Sequence, residues 1–172
     1  MPQSDADRRA AKDLDTIAKA VGLVVLQWGQ AEQSLDLVVA LLWHSFKEKS
    51  HAKKIPMMLE PKVKFVRACM KGDPNLKAFE PQAEALLQRF EALSTLRNDM
   101  IHGAVASLST VDDAFVFAKL DIRDGFHHHR EVRIQASDYP KIIDELVALG
   151  RDAHTLSAQV FQVAKQSGPI VK

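Results

Sequence analysis

Three side chains that together can handle a phosphodiester stand within one short stretch, Leu96-Arg97-Asn98-Asp99-Met100-Ile101-His102-Gly103. An imidazole takes or delivers a proton near neutral pH because its ordinary pKa already lies close to that pH. A guanidinium holds two phosphate oxygens at once and stabilises charge that builds up in a transition state. An amide such as that of Asn98 orients an imidazole or binds a phosphate oxygen. Arg97, Asn98 and His102 therefore suffice for cleavage of RNA through its own 2′-hydroxyl, a reaction that requires neither a metal ion nor another cofactor. No Walker loop, GxGxxG, HExxH or GxSxG offers a competing chemistry.

Two further features bear on such a site. Leu14, Ile17, Val21, Val25, Trp28, Leu35, Val39, Leu42 and Phe46 form one apolar helical stripe, and Glu32 fills the slot between Trp28 and Leu35. A carboxylate in that slot must be paired, neutral or close to water. Arg97, which also takes an apolar slot of its own helix, is a candidate partner. Residues 47–71 carry eight Lys/Arg but only Glu48 and Glu60 as acids. Such a cluster either meets phosphates, with Lys53 and Lys54 the residues expected on RNA, or is a solvated surface.

The elements that must position these residues are mainly helical. Ser4 and Asp7 resemble a capping box, which starts a first helix that the stripe carries past Gly22 and Gly29 to about Ser50. Pro61 opens a short second helix to about Lys71, with Val63, Val66 and Cys69 inward. Pro81 opens a third, whose inward positions are Ala83, Leu86, Phe90, Leu93, Arg97, Met100 and Ile101, and which Gly103 stops. Phe115, Phe117, Leu120, Ile122, Val132 and Ile134 flank Asp124-Gly125, which predicts a β-hairpin over about 114–136. His127-His128-His129 near its tip reads as a solvent-exposed loop, because adjacent side chains diverge too far to share a metal ion. Ser137 or Asp138 caps a last helix with Ile143, Leu146, Leu149, Ala153, Leu156, Val160 and Val163 inward. The expected fold is thus all-α, an antiparallel bundle of four to five helices with a small β-hairpin before the C-terminal helix.

Composition narrows the class. The chain has 172 residues, which suits a single domain spanning 1–172. Lys+Arg total 23 against 22 Asp+Glu, so the charge of the segment at 47–71 is offset elsewhere. A lone cysteine, Cys69, excludes a disulfide framework or a zinc ribbon and suits a reducing cytoplasm. The charged start, MPQSDADRRAAKDLDT, is unlike a secretory leader. The longest apolar run, Leu37 to Trp43, is far too short to cross a membrane.

Arg-Asn-x-x-x-His-Gly at the end of a bundle helix resembles the HEPN superfamily, the higher-eukaryote and prokaryote nucleotide-binding domains. Trp28-Gly29-x-x-Glu32-x-x-Leu35 is similar to an aromatic-and-acidic signature of many prokaryotic members. Leu59-Glu60-Pro61-Lys62-Val63 resembles their connector and second helix. The resemblance covers most of residues 12–166, and Arg97 to His102 is its diagnostic part. It implies a metal-independent endoribonuclease of toxin or antiviral-defence type, acting as a homodimer on RNA, with a cognate antitoxin protein as a further partner. By the same resemblance Arg97 and His102 are the catalytic pair, Asn98 the supporting polar residue and Glu32 an acid near the site. Some toxins of the superfamily carry a tyrosine two residues after the histidine that a partner enzyme modifies. Ala104 stands there instead, and the only tyrosine is Tyr139. The alternative is a non-catalytic HEPN-like module for dimerisation, nucleotide binding or protein interaction.

Overall fold

The computed structural model describes residues 5–46, 49–109 and 113–167. Within them α1 (Asp5–His44), α2 (Leu59–Gly72) and α3 (Glu80–His102) precede β1 (Ala104–Ser109), β2 (Ala114–Arg123) and β3 (Phe126–Gln135), and α4 (Tyr139–Ser167) follows. The helices fall close to where the apolar periodicity and the prolines put them. Ser4, the expected cap of α1, and Lys47 and Glu48 of the basic segment lie outside the described residues. No described helix is long and apolar enough to cross a membrane.

An all-α fold carrying only a hairpin is not what the chain adopts. The strands form a three-stranded antiparallel sheet in the order β1-β2-β3. Asp124 and Gly125 make the expected tight turn between β2 and β3, both with positive φ, at 51° and 79°. β1 is the addition. It pairs with β2 from Ala104 opposite Ala118 to Ser109 opposite Ala114, with a register shift between Val105 and Ser107. Its small residues give little strand signal, so its place comes from the partner strand rather than from its own sequence.

Internal contacts divide the chain into two compact units. The first comprises Met1–Gln27 and Ser94–Glu145, the second Trp28–Leu93 and Leu146–Lys172.

In the second unit, helical segments pack pairwise. Trp28 of α1 meets Phe90 of α3 edge to face, ring centres 5.7 Å apart, and Trp43 of α1 lies 5.9 Å from Phe65 of α2. Gly150 brings α4 against Ala31 of α1, where an added Cβ would sit 3.8 Å from the Ala31 nitrogen. Ala31 is fully buried, and it corrects the stripe of α1. Ala31, not Glu32, fills the slot between Trp28 and Leu35, because the slot faces a close helix approach that only a small side chain fits. Glu32 lies one position round the helix, with its side chain 29% exposed.

In the first unit, Phe115, Phe117 and Ile134 of the sheet are buried, as are Ile17 and Val24 of α1, Met100 of α3 and Tyr139 of α4. Val24 takes the inward position expected of Val25, and Leu14 is 62% exposed. The buried set Ile17, Val24, Ala31 and Val38 repeats every seven residues, a spacing masked in the sequence by the neighbouring apolar residues. Tyr139 stacks edge to face on Phe115 at 4.9 Å.

Gly103 ends α3 for a different reason from the one expected. It does not adopt a left-handed cap, since Gly125 is the only described glycine with positive φ. An added Cβ would instead stand 2.4 Å from the Asp99 carbonyl oxygen and 3.0 Å from Phe117 Cβ. That carbonyl accepts the Gly103 N–H at 3.0 Å. The missing side chain lets the end of α3 press against β2. Gly103→Ala should therefore destabilise the protein by on the order of 1–3 kcal/mol, the usual range for overpacking. Urea unfolding would show a lower midpoint with an unchanged slope, and an unaltered midpoint would contradict the close approach.

Candidate functional site

The last turns of α3 bring Arg97, Asn98, Asp99 and His102 into the first unit, beside β2 and β3. Arg97 is half-buried, and its Nη1 donates to Asn98 Oδ1 at 2.8 Å. This bond restrains the guanidinium and leaves the Asn98 amide nitrogen as a donor. His102 is the exposed final residue of the helix. The structure thus joins Arg97 to Asn98 and puts His102 at an open helix end.

Asn98 lines a cleft of about 320 Å³ with Thr95, Asp99, Lys119, Asp121, Ile122 and Arg130. Neither Arg97 nor His102 is part of that lining. The charged residues of the cleft are tied together at Asp99, which is 3% exposed. Arg130 of β3 donates to both Asp99 oxygens, at 2.6 and 3.0 Å, and Lys119 of β2 donates to one of them at 3.0 Å. Asp121 accepts from Arg130 Nε at 3.2 Å, so two carboxylates balance two cations. The hydrogen bonds from Arg130 hold the Asp99 carboxyl below the usual carboxylate range against the opposing effect of burial, and Lys119 adds to the lowering.

Sequence reasoning missed this cluster. Its partners are 20 and 31 residues from Asp99, and only the pairing of β2 with β3 brings them together. One signal was available: Asp99 lies inside the motif, directly beside the inward Met100, where a carboxylate close to the buried face needs a cation.

Glu32 belongs to the second unit, where its partners are Trp28 and Lys62. Trp28 Nε1 donates to Glu32 Oε2 at 2.9 Å, and Lys62 Nζ donates to Oε1 at 3.1 Å. Lys62 also pairs with Asp36 at 2.6 Å. The counter-charge that the sequence offered through Arg97 is thus supplied by a lysine on α2. Lys62 is 4% exposed. Burial works to lower its pKa, but the hydrogen bonds and charges of Asp36 and Glu32 outweigh that and raise it.

Ion pairs thin out the basic segment. Besides Lys62, Lys64 pairs with Glu60 on its own helix. Arg67 grips Glu84 at 2.7 and 3.1 Å and reaches Glu91 at 3.1 Å. Lys53 and Lys54, ahead of α2, stay exposed. Cys69 is buried in α2 and takes part in no disulfide. Tyr139 is 8% exposed, and burial pushes its phenol up to about 12. The sole tyrosine is therefore a core residue and not an accessible modification site.

The triple histidine departs from its expected loop, because all three residues lie within β3 and are exposed. Among the described residues no group of three or more His, Cys, Asp or Glu could hold a metal ion.

No family model, curated protein or solved structure matches this chain.

Asp99→Asn keeps the size of the side chain but removes the charge that Arg130 and Lys119 share. A loss of about 2 kcal/mol is expected, in the range of hydrogen bonds to charged groups. Because the folded pKa is depressed, the carboxylate's contribution is complete above its ordinary pKa of 3.8 and is lost as pH falls through the lower folded value. Denaturant unfolding of both proteins from neutral to strongly acidic pH checks this. The gap between them should hold at neutral pH and close only on acidification below that ordinary value. A gap that closes near neutral pH would mean another group is responsible.

Proposed function

We propose that this protein is an endoribonuclease that cleaves RNA through 2′-hydroxyl attack without a metal ion, with Arg97 and His102 as its catalytic pair. The observation that carries the reading is the end of α3, where Asn98 restrains the Arg97 guanidinium and His102 stands exposed four residues further on. In this reading His102 removes the 2′-hydroxyl proton as the 2′-oxygen bonds to phosphorus. Arg97 stabilises the charge on the non-bridging oxygens, and the bond to the 5′-oxygen breaks as that oxygen receives a proton. A homodimer facing two such helix ends supplies one imidazole for each proton transfer. The helices are then a HEPN-like bundle, the single domain is of toxin or antiviral-defence type and cytoplasmic, and a cognate antitoxin protein is a fitting partner. Lys53 and Lys54, exposed ahead of α2, are the cations this reading assigns to the RNA backbone.

A second reading has a specific observation in its favour. With Lys62, Lys64 and Arg67 all engaged by carboxylates, the basic segment offers RNA much less charge than its sequence suggests. A non-catalytic module for dimerisation or partner binding needs no such charge.

The deciding experiment incubates the chain with RNA in excess chelator. Fragments ending in a 2′,3′-cyclic phosphate are expected, and His102→Ala should lower the rate by on the order of 10²–10⁴-fold with an unchanged melting temperature. Activity that vanishes in chelator and returns with Mg²⁺ would overturn the mechanism. No cleavage under any condition would select the non-catalytic module.

Replacing Lys53 and Lys54 together with Ala should weaken RNA binding across sequences. It should also reduce the salt slope by about 1.4, two contacts at about 0.7 each for a single strand. An unchanged slope would remove them from the RNA path. Sedimentation at micromolar concentration should show a species at twice the 19.2 kDa of the chain. A monomer alone would oppose the shared-site geometry.

A further inference from the structure

We infer that β3 carries a metal site of its own, in which His127 and His129 together chelate a late first-row divalent cation such as Cu(II) or Zn(II). Adjacent imidazoles diverge, which argues against a metal site when the tract is read as a loop. In a strand the same alternation makes every second side chain share a face.

The strand register sorts the three histidines. His127 stands opposite Ile122 and His129 opposite Leu120, while His128 stands opposite Asp121. His127 and His129 thus share one face with two aliphatic side chains that are 70% and 63% exposed. Those two neighbours offer neither a hydrogen bond nor a charge to hold the rings elsewhere; the next residue on the same face is the exposed Glu131, opposite Ala118. His128 lies on the other face, with Asp121 and Arg130.

Residues two apart along a strand are separated by about 6.5–7 Å. Imidazoles rotated toward each other from that spacing can bracket an ion bound at about 2.0–2.1 Å. With no third protein ligand grouped there among the described residues, water completes an open, two-imidazole site. Such a donor set favours Cu(II) over Zn(II), following the ordinary affinity order of these ions. The site lies on the sheet and is independent of the proposed RNA cleavage.

Calorimetric titration of the full chain with Cu(II) and then Zn(II) tests this. Saturable binding of one ion per chain is expected, tighter for Cu(II). His127→Ala and His129→Ala should each weaken it by on the order of 100-fold, because the remaining imidazole loses its chelating neighbour. His128→Ala should leave the affinity within about twofold, since that ring is on the opposite face. All three side chains are exposed, so thermal melting should confirm that each variant folds. Absence of saturable binding would overturn the proposal. An equal loss from all three variants would also overturn it, because it would mean the tract binds as an unstructured run of histidines.

Discussion

Asp99 is the point on which the first unit turns. Its carboxylate is nearly inaccessible to water, yet it holds an arginine from β3 and a lysine from β2, so three elements meet at one pair of oxygens. Removing a charge from water is costly, and only well-made hydrogen bonds on both oxygens offset that cost. The pairing of β2 with β3 places Lys119 and Arg130 as direct cross-strand neighbours, which lets both reach the same acid. Gly103, four residues on, closes the helix against β2 by having no side chain. Arg97 and Asn98 immediately precede this anchor, and His102 immediately precedes the glycine. The residues able to do chemistry are thus held by neighbours that do none.

The second unit solves a comparable problem with the signs reversed. Its buried charge is a lysine, and the acids lie one turn apart on α1. Lys62 reaches both Glu32 and Asp36 because residues four apart share a helix face. Trp28 Nε1 meets the remaining Glu32 oxygen, so the aromatic that packs on Phe90 also satisfies the acid beside it. Glu32 therefore serves as a partner for Lys62, and the arginine of the motif is restrained by its own neighbour Asn98.

How much of this was legible depended on the distance between partners. The hairpin was readable because Asp124-Gly125 encodes its turn within two residues, and α2 and α4 were readable from periodicity and proline. The stripe of α1 was misread by one position at Val24 and at Ala31. An alanine carries little hydrophobic signal, although it is the size of the gap that selects it. β1 was silent because Ala104–Ser109 has few large strand-forming residues and depends on β2 for its conformation. Of the candidate site, the motif put Arg97 and Asn98 side by side, but it offered Asn98 to the imidazole or a phosphate oxygen, whereas in the structure Asn98 accepts from Arg97. Lys62 as the counter-ion of Glu32, and Arg130 and Lys119 as those of Asp99, lie 20 to 31 residues away from their acids. No local pattern encodes a meeting over that distance.

The strand order leaves β3 at one margin of the sheet, with a row of backbone donors and acceptors that a second copy could extend. Its ten residues, Phe126–Gln135, include three histidines, two arginines and a glutamate, and most of them are exposed. Bringing two such margins together would crowd arginine against arginine and require bulky polar rings to shed water. The composition of β3 thus protects the chain against sheet-to-sheet aggregation, because the margin that could recruit a second sheet is lined by side chains that resist burial.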